Sequence, residues 1–599
     1  MERAGAGEPG HWLLKGTRHQ LTVLILGAVI FLGTICSPPS LMDDVDSVQA
    51  QIARNMLQSG DWVTARLDGV PYLEKSPLVY WMMAISFRIF GVHDWAARIP
   101  IALSCMLLGL AVLRLGEWAF GKLAGFYAGL CMVTCVGMFL FTRILIPDCM
   151  LTLAIVAAMY CLLRLLDDDR RRLVWPMLFW AALGAGVLLK GLIAIIFPAA
   201  TAIAYLMLTR QFLVRDTWTR FRPVLGLLLF LSIAAPWHVL ATARNPPVFD
   251  LTMHSESGSY RGFFWFYFIN EHVLRFLNRR YPRDYNTVPP VLFWLLNLVW
   301  LLPWSLYLPG AFKLDYRGAD RGSRVRVLAL CWIAVVLGFF TLSTTQEYYS
   351  MPCYPALALL IGSAAASGKR TARIGARCVS VLAGLGMVAI IVVLYLVRNT
   401  PTPGDIASAL AQHPEAYTFS LGHIGDLELV SFAYLRMPLV VAAVALAIGA
   451  FGAWRWEGTQ AVVSMAVMMA VFFHAARMAM VRFDPYLSSP LLAQALMAAP
   501  EGELIVDGQY YDFSSVFFYT ARTALLVNGR AVNLEYGSYA PGAPDVFIGD
   551  SDLTRIWSDP GRRYLLVDGS RLPRIQGLLS DTALHLIKES GGKYLFSNQ

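Results

Sequence analysis

The sequence predicts a polytopic α-helical membrane protein of about thirteen transmembrane helices, followed by a C-terminal α/β domain outside the bilayer. Three observations carry this. The 599 residues are 57% hydrophobic and only 15% charged, with a mean hydropathy of +0.54, a balance that water-soluble domains do not reach. Apolar runs of spanning length recur along most of the chain. Lysine and arginine gather in alternate connections between those runs, as they do in loops held in the cytoplasm. That clustering also accounts for the net charge of +9 without nucleic acid as a partner. The nine cysteines fall mostly inside apolar runs with no Cys-x-x-Cys pair, so neither a disulfide framework nor a metal site is indicated.

Taken in order, Arg3, Lys15 and Arg18 precede the apolar run 21–35 in the manner of a signal peptide. The end of that run, "TICSPPS", lacks an Ala-x-Ala cleavage site, so it reads as an uncleaved first span with a cytoplasmic N-terminus. The expected spans are 20–37, 97–115, 122–141, 149–166, 173–190, 192–209, 223–242, 290–310, 327–343, 353–367, 377–397, 437–454 and 460–480. The basic stretches "DDDRRR", "RQFLVRDTWTRFR", "KLDYRGADRGSRVR" and "GKRTARIGAR" fall on alternate loops and mark the cytoplasmic side. Loops 38–96, 142–148, 243–289, 344–352 and 398–436 then face outward, with everything after 481. Residues 1–481 form the membrane domain. Residues 482–599 alternate short β-type runs ("ELIVDG", "TALLVNG", "DVFIGD", "RRYLLVDG") with helical stretches ("SSVFFYT", "DLTRIW"), the pattern of a small α/β domain.

The first outer loop is the most informative. "MDDVDSVQAQIARNML" places Val48, Ile52, Ala53, Met56 and Leu57 at helical spacing, which predicts an amphipathic helix on the membrane surface. Asp43, Asp44 and Asp46 stand at its start, where carboxylates also simply cap helices. A second surface helix is expected in "PLVYWMMAISFRIFG", with Ser76 and Pro77 as N-cap and first residue. Its N-terminus would collect free N–H groups suited to an anion, and Lys75 stands just before it. "EKSP" therefore reads as a phosphate clamp, or alternatively as a snorkelling lysine paired with Glu74.

Ionisable residues close to hydrocarbon are costly and point to function. Arg143 and Asp148 occupy a very short outer connection, Lys190 ends the fifth span, and Gln346, Glu347, Tyr348 and Tyr349 fill another short outer loop. All fall on the predicted outer side with "EKSP", although an interfacial aromatic belt also explains one of the tyrosines. The loop segment "RGFFWFYFINEHVLRFLNRRYPRDY" reads as an amphipathic surface helix on lipid, with His272 and Arg275, and Tyr348 from its own loop, as possible headgroup contacts. A structural role is the plainer reading for the histidine. These groups together describe an outward cavity with cations for phosphate and carboxylates for base chemistry.

The stretches "DDVDSVQAQIARNMLQSGDWVTARLDGVPYLEKSPLVYW", "RILIPDCML", "LLKG", "FYFINEHVLRFL" and "YYSMPCYPALALL" resemble the GT-C membrane glycosyltransferases. Within that class they are most similar to the bacterial lipid A aminoarabinose transferases and the protein O-mannosyltransferases. The resemblance covers most of the membrane region in order. It implies inverting transfer of a sugar from a polyprenyl-phosphate donor to lipid A or a secreted or membrane protein, without a cofactor, at the outer face of a bacterial cytoplasmic membrane. It also implies roles. Glu74 and Lys75 match the family's Glu-Lys pair, with Ser76 in place of the usual proline. Asp148 matches the second-loop aspartate, and Lys190 and Tyr349 match groups at the donor phosphate. The family's Asp-Glu pair aligns with Val45–Asp46 without a gap or with Asp43–Asp44 after a one-residue shift, so Asp44 and Asp46 are both candidates for the catalytic carboxylate, Asp44 first. Arg143 joins the phosphate-binding set. The competing reading is a transporter or flippase for a phosphate-bearing lipid, disfavoured by the lack of repeat symmetry and by charges gathered on one face. A receptor or scaffold acting through its outer domain would leave the charges of the membrane loops unexplained.

Overall fold

The structure, a computed structural model, describes residues 9–36, 38–167, 173–282, 288–343, 345–410, 422–579 and 584–599. Arg3 and most of the basic stretch "DDDRRR" lie outside the described residues. Among the described residues, nine helices are long and apolar enough to cross a membrane. A tenth span results if Pro290–Trp300 and Trp304–Lys313, bent by 104°, form one broken span. Three shorter apolar helices, Lys122–Thr134, Val174–Lys190 and Ile193–Leu208, occupy the remaining expected positions. Each of the thirteen expected runs therefore holds apolar helix. The shortness of Lys122–Thr134 has a local cause. The chain turns extended at Cys135 and resumes as Val136–Phe141, and the freed N–H of Val136 donates to the Leu302 carbonyl at 3.1 Å, which meets the bilayer's demand that every backbone group be paired. The same helix packs tightly on its neighbour Asp94–Phe120. A Cβ on Gly125 would sit 2.3 Å from the Glu117 backbone nitrogen, the close approach that small residues permit between membrane helices.

The first-loop helix forms over Asp46–Ser59, ended by Gly60 in the left-handed region (φ 72°), the usual helix stop. It is covered by protein more fully than an amphipathic pattern alone suggests. Asp46, Ser47, Val48, Gln49, Ala50, Gln51, Ile52, Ala53 and Met56 are all buried, so both its polar and apolar faces are covered. Ser47 Oγ lies 2.6 Å from Ser514 Oγ and Arg54 donates to the Phe518 carbonyl, contacts that place the C-terminal domain over it. A tight hairpin follows, β1 (Arg66–Leu67) with β2 (Val70–Pro71), turning on Asp68 (φ 51°) and Gly69 (φ 79°), the two-residue turn that Asp-Gly favours. The second surface helix is Leu78–Phe90, with Ile85, Ile89 and Phe90 exposed. The 243–289 loop is also corrected. Its helical segment, Gly262–Phe264 continuing as a π-helix over Trp265–Leu274, is buried at Trp265, Phe266, Tyr267, Asn270 and Leu274, packed among Leu73, Leu188, Trp237 and Ala241 with Tyr536 of the C-terminal domain.

The last apolar helix, Thr459–Leu487, runs past the expected boundary at 481. Its final turn is held by the first loop: Ser40 donates its N–H and hydroxyl to Asp484, and the Asp43 N–H donates to the Leu487 carbonyl. The C-terminal domain is a six-stranded sheet in the order β5-β4-β3-β6-β8-β7. β3 (Glu503–Asp507), β4 (Ala524–Val527), β5 (Phe547–Ile548) and β6 (Arg563–Asp568) are parallel neighbours. β7 (His585–Ser590) and β8 (Lys593–Ser597) add an antiparallel edge. Alternate residues of β3 serve two cores, as the two-residue strand period requires. Ile505 packs with Leu553, Trp557 and Ile575, whereas Leu504 and Val506 join the core that continues into the membrane helices. The domain is seated on loops 38–96 and 243–289, on one face of the helical bundle.

Candidate active site

Glu74 is the centre of a buried charge cluster on that face. Its carboxylate pairs with Lys75, accepts a 2.7 Å hydrogen bond from the Tyr72 hydroxyl, and lies 3.8 Å from both Arg275 and Arg280. Glu271 closes the cluster, 3.0 Å from Arg275 and 2.6 Å from Arg280. Helical spacing presents Glu271 and Arg275 on one side of their segment. Burial by itself would raise the Glu74 pKa, but Lys75, Arg280 and Arg275 together outweigh it and hold the carboxyl well below the usual range. For Glu271 burial prevails over Arg280 and pushes the group up, with Glu74 adding repulsion. Three cations against two carboxylates leave a positive surplus, and the Lys75 side chain retains 29% exposure. The cluster can therefore receive an anion.

A second group adjoins it. Lys190, at the end of Val174–Lys190, pairs at 2.5 Å with Asp148, the first residue of Asp148–Asp167. The Lys190 ammonium stands 5.2 Å and 4.8 Å from the ring centres of Tyr348 and Tyr349, within cation–π range. The second oxygen of Asp148 is buried and makes no hydrogen bond among the described residues. Lys190 lies within electrostatic reach of Lys75 and Arg275, and Tyr348 within reach of Asp148, Arg275 and Glu74. The structure thus brings together Glu74, Lys75, Asp148, Lys190, Arg275, Tyr348 and Tyr349, from five separate stretches of sequence.

Other expected residues stand elsewhere or are engaged differently. Asp46 is fully buried, accepts from the Leu145 N–H at 2.9 Å and faces Arg98 at 3.6 Å. Burial raises its pKa against the pull of Arg98. Arg143 belongs to this Asp46 cluster. It donates to Thr34 Oγ1 at 2.5 Å, covers the Phe139 ring and lies within reach of Asp46. Asp44 is half-buried with φ 74°, its N–H donating to the Tyr511 carbonyl at 2.9 Å. None of the three aspartates caps the helix, whose N-cap is Val45. Asp43 instead receives Ser489, the Ser515 N–H and Lys593 from the C-terminal domain. Ser76 is not the N-cap of its helix either. That place falls to Pro77, and the Ser76 hydroxyl is taken by the Val187 carbonyl and Tyr267. His272 uses both ring nitrogens inside the protein: Nδ1–H donates to the Tyr267 carbonyl at 2.6 Å and Nε2 accepts from the Leu192 N–H at 3.1 Å. Burial lowers its pKa to about 4, and with both nitrogens engaged it fits the structural role that the sequence reading also preferred.

Sequence reasoning missed Tyr72, Glu271, Arg280 and Asn533. The signal for Glu271 was present, four residues before Arg275. Asn533 comes from the C-terminal domain, where its Nδ2–H donates to Glu74 and its Oδ1 accepts from Arg280 at 2.6 Å. No local pattern marks such a residue. Among the described residues, no three His, Cys, Asp or Glu side chains gather as metal ligands.

Comparison with known proteins bears on this geometry. Residues 74–239, which begin at Glu74, match the family described as dolichyl-phosphate-mannose-protein mannosyltransferase. The undecaprenyl phosphate-α-4-amino-4-deoxy-L-arabinose arabinosyl transferase of Aeromonas salmonicida is 30% identical over 324 residues, which are 53% of this chain and 54% of that one. The protein of the same name from Erwinia tasmaniensis is 28% identical over 458 residues, 74% of each chain. The chain thus spans about half the length of the first of these relatives and three quarters of the second. The crystal structure of ArnT from Cupriavidus metallidurans bound to undecaprenyl phosphate superposes with a TM-score of 0.75 at 21% identity, covering 99% of each chain. The chain is a multi-pass membrane protein with the GT-C fold over its whole length, and it resembles the aminoarabinosyl transferases and, from Glu74 to His238 and one residue beyond, the protein mannosyltransferases.

Proposed function

We propose that this protein is an inverting glycosyltransferase that moves a sugar from a polyprenyl-phosphate donor to an acceptor at the membrane surface. The observation that carries this reading is the meeting of Lys75, Arg275 and Lys190 around Glu74 and Asp148, on the face capped by the C-terminal domain. The relatives named above act on, or are bound to, undecaprenyl phosphate, which supports a lipid phosphate as the anion. In this reading the acceptor oxygen attacks the anomeric carbon as the bond to the phosphate oxygen breaks. Lys75, Lys190 and Arg275 stabilise the charge that builds on the leaving phosphate. Glu74 holds Lys75 in place, and Asp148 does the same for Lys190. Asp44 accepts the proton of a hydroxyl acceptor from the opposite side of the sugar. Its half-buried position favours it over Asp46, which is enclosed with Arg98 and the Leu145 N–H. A phosphate acceptor needs no base, and Asp44 then only positions it. The donor phosphate supplies the activation, so the reading calls on no cofactor.

The curated relatives are named for transfer of 4-amino-4-deoxy-L-arabinose, which favours a pentose as the sugar class; lipid A, or a secreted or membrane protein, is the acceptor that the sequence resemblance implies. The alternation of basic loops favours an N-terminus in the cytoplasm and a periplasmic C-terminal domain, in the inner membrane of a bacterium. Mass spectrometry of envelope glycolipids and glycoproteins, with and without the gene, tests this. A sugar adduct that appears only with the protein is expected. Unchanged glycolipids and glycoproteins, together with protein-dependent lipid movement in proteoliposomes, would favour a transporter instead.

A further inference from the structure

We propose that the C-terminal domain is part of the active site, and that Asn533 is the positioning residue through which it acts. The inference rests on the glycosyltransferase reading. Asn533 lies on the short helix Val532–Ser538. Its amide donates to the Glu74 carboxylate and accepts from the Arg280 guanidinium at 2.6 Å. An amide is the neutral group that serves a carboxylate and a guanidinium at once, and those two partners fix which way it points. Glu74 and Arg280 stand 3.8 Å apart with Asn533 bridging them. Without the bridge they are free to close into a direct charge-assisted pair, which draws Glu74 away from Lys75.

Two further observations show that the helix is built to deliver this residue. Val532, immediately before it, has φ 52°, a conformation that β-branched residues avoid and that persists only where the surroundings impose it. The rest of the helix is docked on the loops that carry the site. Glu535 accepts from Tyr281 at 2.7 Å and Ser257 at 2.6 Å. The Tyr536 hydroxyl joins the Arg261 N–H and the Gly262 carbonyl, each at 2.9 Å, and its ring stacks 4.0 Å from Phe266. Gly537 meets β2 so closely that a Cβ would fall 1.8 Å from the Pro71 carbonyl oxygen. The helix therefore ties the first-loop hairpin to the Gly262–Leu274 segment, and Asn533 reads the distance between Glu74 and Arg280.

The test uses the full-length chain in detergent or proteoliposomes, with sugar transfer from a polyprenyl-phosphate donor, undecaprenyl phosphate binding by thermal shift, and melting of the unliganded protein. Asn533→Ala should lower kcat/KM on the order of tenfold to a hundredfold with little change in melting. Asn533→Asp should be nearly inactive at pH 8, where a third carboxylate repels Glu74, and should regain activity relative to wild type as the pH falls toward 5. Gly537→Val, which changes no side chain of the cluster, should reproduce the loss by lifting the helix from Pro71. Wild-type kcat/KM in Asn533→Ala, or an Asn533→Asp deficit that does not vary with pH, overturns the proposal even if one variant is unstable. A wild-type protein that neither binds undecaprenyl phosphate nor transfers sugar overturns the glycosyltransferase reading and this inference with it, whereas active variants beside an active wild type overturn this inference alone.

Discussion

At the residue scale, the site is a set of charges that stabilise one another until an anion arrives. Asp148 is 1% exposed, and Lys190 is its ion-pair partner among the described residues. Removing one member of a buried pair strands the other, at a cost of about 3–5 kcal/mol. Lys190→Met should therefore lower the melting temperature sharply, and Lys190→Met with Asp148→Asn should recover most of it while transfer stays abolished. Recovery of transfer in the double variant would remove Lys190 from the mechanism. Much of this cluster was legible in the sequence, since Lys75, Lys190 and Asp148 interrupt apolar runs where a charge is costly. Glu271 and Arg280 were not. They sit in a stretch rich in charge and aromatics, where the sequence alone does not separate a buried charge from a solvated one. Arg143 and Lys190 look alike in sequence, yet Arg143 turns to Thr34 and the Asp46 cluster, because a lysine or arginine at a span end has several partners within reach.

At the scale of elements, the β1–β2 hairpin joins the first loop to the C-terminal domain. Asp68 at its turn is buried and accepts from the Ala524 N–H of β4 at 3.2 Å. Burial raises its pKa to about 7. A carboxyl whose folded pKa exceeds its unfolded value of 3.8 binds more protons folded than unfolded, so its contribution is fully present below about pH 4 and is lost as the pH rises to 7. The shift corresponds to about 4 kcal/mol. Asp68→Asn keeps the acceptor and tolerates the left-handed turn. It should melt well above wild type at pH 8 and close to it near pH 4, where equal melting at pH 8 would contradict the burial argument. The Asp-Gly turn was visible in "LDGV". The fate of the first-loop helix was not, because an amphipathic period reveals one apolar face and says nothing about whether lipid or protein covers the other. The same limit applies to Gly262–Leu274. The final hairpin β7–β8 was missed because its charged residues, Lys588, Glu589 and Lys593, mask the strand pattern around Gly591–Gly592.

At the scale of the molecule, the helical bundle and the sheet domain form one functional body. Asp43 gathers Ser489, the Ser515 N–H and Lys593, which latches the first loop to the domain through residues other than Asn533. Asp43→Ala leaves Lys593 without this partner and should cost about 3–5 kcal/mol, read as a lower melting temperature, with weakened transfer that high salt does not restore. Retention of wild-type melting would show the latch to be dispensable. The spans and the α/β character of the tail were legible from hydropathy and strand pattern, whereas the contact between them was not, since it joins residues hundreds of positions apart. The most direct measurement of the central claim is sugar transfer by wild-type and Lys75→Ala protein from a polyprenyl-phosphate sugar donor to envelope lipid and protein acceptors. The account predicts product with wild type and none with the variant, at matched expression, insertion and melting. Full transfer by Lys75→Ala would contradict it.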